Sequence, residues 1–581
     1  MYTTRRIAIA AMLLTVFTTA VMAQSDTPEY NEQVIVTGSY RPEIDEATKI
    51  NIPPVMADTS STLQHRFTYT VSPRRLNSLY EPARIKAARI VGEPTTKLYN
   101  NYFRLGFGNY WSPLAEAYYN SLRDKKLTYG AALQHRSSWD KLPSVGPNHY
   151  SMTTLSAFGK YILNGKLQIS SDIAFTNDHN LYYGFTDSTL QAVLGRQRSD
   201  IKLADYTSNF NYLCWNAGVK NLELDKGRFG YAANMRLANL WASYGQTELQ
   251  LNLTGDVNYG FIVMNKYKGV AFLHIDWDAY ANAFKPDANG TMPLGYSGAA
   301  PDTVKHSRNI LKINPYADFM FSGLHFHAGL TTGWDAFTSN NVVFRVFPDV
   351  VVSKSFMGEN LVLSVGATGG IDANSWHTMS LINPYIAPGS ELRATRHYDF
   401  VAYGRWSMSK KLEVKANIEY ALLRDDMSFA LNGDYGLHNV FSPYYFDDNR
   451  LKMGADVAFV NDEMIKLELG GNYYNYKVVG TGQYLLYRPD FDLHFNLDLN
   501  YNYKWFGHLG LALLGKMDDE LAGQTMPLRY GINAEVEYRH NRALSFFLKA
   551  DNMAFQRYML WANYPSQRAI FIVGLSYTLP K

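Results

Sequence analysis

Cysteine is almost missing from this chain of 581 residues: Cys214 is the only one. A single thiol excludes a disulfide framework and a cysteine-based structural zinc site. Long apolar runs are equally scarce. The one stretch near spanning length is Ile7–Ala23, so a bundle of transmembrane helices is excluded. Nor does one charge dominate, since 55 Lys plus Arg against 52 Asp plus Glu leaves a net +3. A nucleic-acid binder would carry a basic surplus, and there is none. Charged residues together make only 18%, below the usual quarter. Catalytic signatures are missing too: there is no Gly-x-Ser-x-Gly, His-Glu-x-x-His or phosphate-loop pattern. The sequence therefore points away from an enzyme and asks for no cofactor.

What the chain has is tyrosine and alternation. Aromatics make 14%, with 43 Tyr, 31 Phe and 10 Trp. From Phe491 to Lys504 every odd position is apolar (Phe491, Leu493, Phe495, Leu497, Leu499, Tyr501, Tyr503) and every even one polar. Ala271–Asn282, Leu412–Tyr420, Leu249–Phe261 and Ile532–Tyr538 repeat the pattern. Period 2 gives each strand one greasy face and one wet face. Soluble sandwiches alternate as well, but their strands run about five or six residues. Strands of about ten or more match a tilted crossing of a bilayer, where only a closed barrel pairs every backbone group.

Turn signals supply a count. Short turns are expected at Asp124–Lys126, Asn164-Gly165, Asp225–Gly227, Asn265–Gly269 and Ser322-Gly323. Five more follow at Met357–Glu359, Ser409-Lys410, Asn461–Glu463, Trp505–Gly507 and His540–Arg542. Longer connections alternate with them, the longest near Lys285–Arg308, Leu381–Arg396 and Arg424–Asn449. The expected fold is all-β: a transmembrane antiparallel barrel of about 22 strands over residues 98–581, in contact with outer-membrane lipid. Short turns and both termini are expected in the periplasm and long loops outside; the rings suit the two membrane interfaces.

On the wet face Asp276, Asp278, Asp492, His494 and Asp498 are the candidate lumen-facing residues. His325 and His327 share a face at a spacing a metal pair could use. Without a third ligand they read as hydrogen-bonded lumen residues, and no metal site is expected. Residues 1–23, with Arg5-Arg6, an apolar core and Val21-Met22-Ala23, read as a secretory signal peptide. Destination: the outer membrane of a Gram-negative bacterium.

Barrels of about 22 strands usually carry a plug. Residues 24–38 then read as a periplasmic leader. Within it, Glu32-Gln33-Val34-Ile35-Val36-Thr37-Gly38 resembles the TonB box of TonB-dependent receptors. The end of the chain is similar to that family's last hairpin, through Asn552, Tyr558, Tyr564-Pro565, Arg568, Phe571 and Gly574–Tyr577. The resemblance implies an outer-membrane receptor that takes up a solute, with TonB as partner of residues 32–38. Family members carry a full-size plug between box and barrel; here only residues 39–97 are available. Pro53-Pro54, Pro73, Pro82 and Pro94 make that segment a short, mostly extended strap, periplasmic or luminal. Its charges are segregated: residues 24–65 hold two Lys/Arg and seven Asp/Glu, residues 66–97 seven and two. A passive porin-like channel, or a structural partner assembled with other outer-membrane subunits, remains open beside the transport reading.

Overall fold

In the computed structural model the described residues are 99–579, apart from 123, 144, 223–228, 264–266, 287–291, 300–301, 338–340, 462–463, 481–484 and 520–524. The signal-peptide, TonB-box and strap expectations lie outside them. Among the described residues 22 strands form one antiparallel sheet, in which each strand pairs with its neighbours in chain order. The sheet closes on itself. The first strand, Asn101–Gly108, pairs with Ser112–Asn120 and with the last strand, Ile570–Tyr577. At that seam Gly106 stands opposite Gly574, and a Cβ on Gly574 would lie 2.2 Å from the Leu105 carbonyl oxygen. Only glycine lets the two backbones close so tightly.

Short turns join strands at one end, and the longer links lie at the other, together with short ones at 109–111 and Ser243–Gly245. Asn164-Gly165, with φ of 50° and 69°, joins Tyr150–Leu163 to Leu167–Leu181, as the pair's tolerance of positive φ allows. One expected turn is displaced. Trp505–Gly507 opens a strand, Trp505–Leu514, and the chain reverses at residues 502–504. Asn502 and Tyr503 take the positive φ there (55° and 53°), so the apolar alternation ran on past the strand end at Tyr501. The long loop expected over Arg424–Asn449 is mostly strand as well. Leu412–Leu431 and Phe441–Asn461 run together through a bulge between Leu423 and Asp426, leaving residues 432–440 as the tip.

The two faces divide as alternation requires. Leu105, Val365 and Val573 point outward and are 55%, 59% and 61% exposed. An apolar surface of this extent belongs in hydrocarbon. Aromatic pairs such as Phe229–Tyr259 and Trp505–Tyr538 sit near the short-turn rim. The inward face carries ion pairs instead. Lys312 reaches Asp276 at 2.8 Å and Asp278 at 3.6 Å, Arg450 reaches Glu419 at 2.9 Å, and Arg104 pairs with Glu535. No described helix is long and apolar enough to cross a membrane.

Candidate functional site: a mouth packed shut by loops

Seven of the longer links fold over the end of the barrel and share one apolar cluster. Leu142, Tyr182, Trp376, Tyr435, Tyr487, Met517 and Tyr564 each come from a different link. Beneath them, wall residues Phe210, Tyr212, Cys214, Ala238 and Leu240 complete the same cluster. Burying so much apolar area among links that are far apart in sequence makes the layer one cooperative unit.

The link from Asp372 to Thr395 reaches across the barrel. It leaves the thirteenth strand, Leu361–Asp372, yet touches the sixth to eighth, Thr207–Asn221, Phe229–Ala242 and Gln246–Val263. Ser208 Oγ donates to the Pro384 carbonyl at 2.8 Å, and the Gly389 N–H donates to Gln246 Oε1 at 3.0 Å. On the opposite side the Ala387 N–H donates to Phe441 O at 2.7 Å, and the Phe441 N–H to Tyr385 O at 2.9 Å. Tyr385 stacks on Tyr564 at 3.6 Å, and Tyr183 meets Tyr564 edge-on at 4.9 Å. The Tyr564 hydroxyl donates to Asn439 O, and Tyr182 donates to Ile386 O at 2.9 Å. Burial raises the Tyr385 and Tyr564 phenols well above their ordinary value, so both stay neutral donors.

A seven-residue helix, Trp376–Ile382, forms the middle of this link. Ser375 caps it, its Oγ accepting from the Thr378 N–H at 3.1 Å. A second cap comes from the barrel wall. Glu248, fully buried, accepts from the Trp376 and His377 N–H groups at 2.8 and 3.3 Å. The His377 ring lies flat on Tyr212 at 3.5 Å. Burial, reinforced by the Arg236 charge, holds His377 down to about 4 from 6.5. The docked ring is therefore neutral, and its contribution is complete above pH 6.5 and lost as pH falls toward about 4. Acidification from pH 7.5 to 5 should raise hydrogen exchange across residues 376–382, and His377→Phe should flatten that dependence.

Two cavities flank the helix, and Ile382 lines both. One, of about 520 Å³, lies among Tyr150, Tyr183, Tyr385, Tyr558 and Trp561, with Arg136, Asp551, Arg568 and five primary amides. The other, of about 500 Å³, is lined by Asp372, His397, Asp399, Glu419, Asp426, Arg450 and Arg488. Aromatic faces beside charged and amide groups suit a polar ligand with some apolar surface.

The residues singled out in the sequence lie apart from this layer. Asp276 and Asp278 stand together, holding Lys312 and accepting from Asn252 Nδ2 at 2.6 and 2.7 Å. Asp492, His494 and Asp498 are separate: Asp492 accepts from Asn472, His494 lies 3.6 Å from Asp456, and His508 lies 2.7 Å from Asp498. His327 sits between Asp318 and Asp349 at 2.8 and 3.1 Å. No described group of three or more His, Cys, Asp or Glu is placed to hold a metal. Tyr444, Tyr445, Phe446, Asp447 and Asp448, read as loop residues, stand on a strand, with Phe446 and Asp448 buried. Sequence reasoning missed Glu248, Trp376 and Tyr385, and it read Tyr564 only as part of the last hairpin. The one signal available was tyrosine recurring inside the links, where turn residues are the norm.

Comparison with solved structures settles the fold. The ferric-catecholate import receptor Fiu of E. coli K12 aligns with a TM-score of 0.59 at 9% identity, over 83% of this chain and 82% of its own. The FrpB iron transporter of Neisseria meningitidis gives 0.60 at 9%, over 83% and 82%. The siderophore receptor PirA of Acinetobacter baumannii gives 0.60 at 10%, over 84% and 81%. The chain has the barrel fold of these receptors. No family model matches the chain, and no curated protein matches it in sequence.

Proposed function

We propose that this chain is an outer-membrane transport protein of a Gram-negative bacterium, admitting a solute through a mouth that its loops keep closed at rest. The observation that carries the reading is the cluster spanning the mouth, from Tyr182 through Trp376 and Tyr385 to Tyr564. A passive porin would leave a water-filled passage, and this layer opposes one. The solved barrels with the same fold are described as a ferric-catecholate import receptor, an iron transporter and a siderophore receptor, which supports uptake rather than catalysis. The flanking cavities are where a solute would first be held.

Energy coupling is assigned to residues 32–38. As a TonB box they would add a strand to the partner's sheet edge through main-chain hydrogen bonds. Ile35→Pro removes one donor and restricts Val34. With Cys214 changed to serine and a cysteine at Val34, crosslinking to a cysteine panel on TonB should be abolished by Ile35→Pro, with the barrel still inserted. A crosslink that survives the proline, or none in the parent, would favour a scaffolding barrel.

A further inference from the structure

What releases the closed mouth is a question that rests on the transport reading. The answer lies in how residues 373–394 are held. Their roots are fixed by the Asp372–Thr395 strand pair and by Arg308, which donates to Leu392 O at 3.0 Å. Between these roots the helix is docked on the wall through Glu248, and the rest of the link through Ser208 and Gln246. Glu248 is fully buried, takes the first-turn N–H groups of the helix and a hydrogen bond from Gln250 at 2.5 Å, and has no ion-pair partner among the described residues.

We propose that residues 373–394 are a hinged gate and that Glu248 is its latch. A buried carboxylate without a cation is stable only while donors surround it. The docked helix supplies two of those donors, the Trp376 and His377 N–H groups, and water replaces them when the helix leaves. The same position filled by an apolar residue, like Ala238 and Leu240 on the adjoining strand, would reward only the closed state. The layer above is also incompletely satisfied. Asn383 Nδ2, Tyr435 Oη and Asn439 Oδ1 are buried without a hydrogen-bond partner among the described residues. Opening would let water reach all three, so closure is held by few, specific bonds across a cluster that would otherwise be difficult to part.

The chain contains its own reporter. Cys214, its sole thiol, is buried in the cluster that includes Trp376 and Met379. With full-length protein in lipid vesicles, a membrane-impermeant maleimide should label wild-type Cys214 slowly and Glu248→Ala at least about tenfold faster. Glu248→Gln, which retains an acceptor, should fall between. Gln246→Ala, which frees the Gly389 N–H, should give a smaller rise in the same direction. Folding is checked by heat-modifiable mobility on gels. Folded Glu248→Ala labelled at the wild-type rate would overturn the latch; so would an unchanged Gln246→Ala, should Glu248→Ala not fold. The readout needs no solute, TonB or energy source, so failure of the transport reading would appear separately, as absent uptake in cells.

Discussion

Tyr564→Ala is expected to unpack the mouth while the barrel stays closed. The ring is fully buried, stacked on Tyr385, edge-on to Tyr183, and hydrogen-bonded through its hydroxyl to Asn439 O. Truncating a buried aromatic costs about 3–5 kcal/mol through lost contacts and the cavity left behind. Here that cost falls on the loop layer, because Tyr564 lies outside the 22-strand ladder. Hydrogen exchange across residues 373–394 and 432–440 should accelerate by roughly 100- to 3,000-fold, since each 1.4 kcal/mol is a factor of ten. Strands such as Tyr267–Phe284 should keep their protection. Tyr564→Phe retains the stacking and loses only the bond to Asn439, so its effect should be about 1–3 kcal/mol. Equal exchange in all three proteins would mean that the cluster does not hold the mouth.

Leu497→Arg should cripple insertion, whereas Asn496→Arg should not. Leu497 stands mid-strand in Phe491–Tyr501, opposite Leu467 and Leu509, on the outward face with the exposed Leu493 and Leu499. A cation there meets hydrocarbon, at a cost of about 2–4 kcal/mol near the midplane. Asn496 faces the lumen, where Glu468 is its cross-strand partner and a guanidinium gains an ion pair. The measurement is the urea midpoint of vesicle-inserted barrel, together with the folded fraction on unheated gels. Equal loss in both variants would contradict the register.

The barrel was legible in the sequence because its physics is local. Side chains alternate with period 2 along a strand, and the bilayer requires one greasy face, so Phe491–Tyr501 declares its geometry residue by residue. Even there a boundary slipped. Nothing local distinguishes Tyr501, the last strand residue, from Tyr503 in the turn, since both rings suit an interface. In the links no period operates. Tyr182, Trp376, Tyr385 and Tyr564 are spread over nearly 400 residues, and each alone reads as an aromatic on a loop. Glu248 could be assigned to the wet face by parity, but not the helix that it caps 128 residues away. The sequence alone determined a closed, roughly 22-strand membrane barrel, since alternation and turn chemistry act between neighbours. Only the tertiary structure decided that the mouth is shut, because that depends on apolar surfaces meeting across the barrel, and the energy of their contact is written in no single segment.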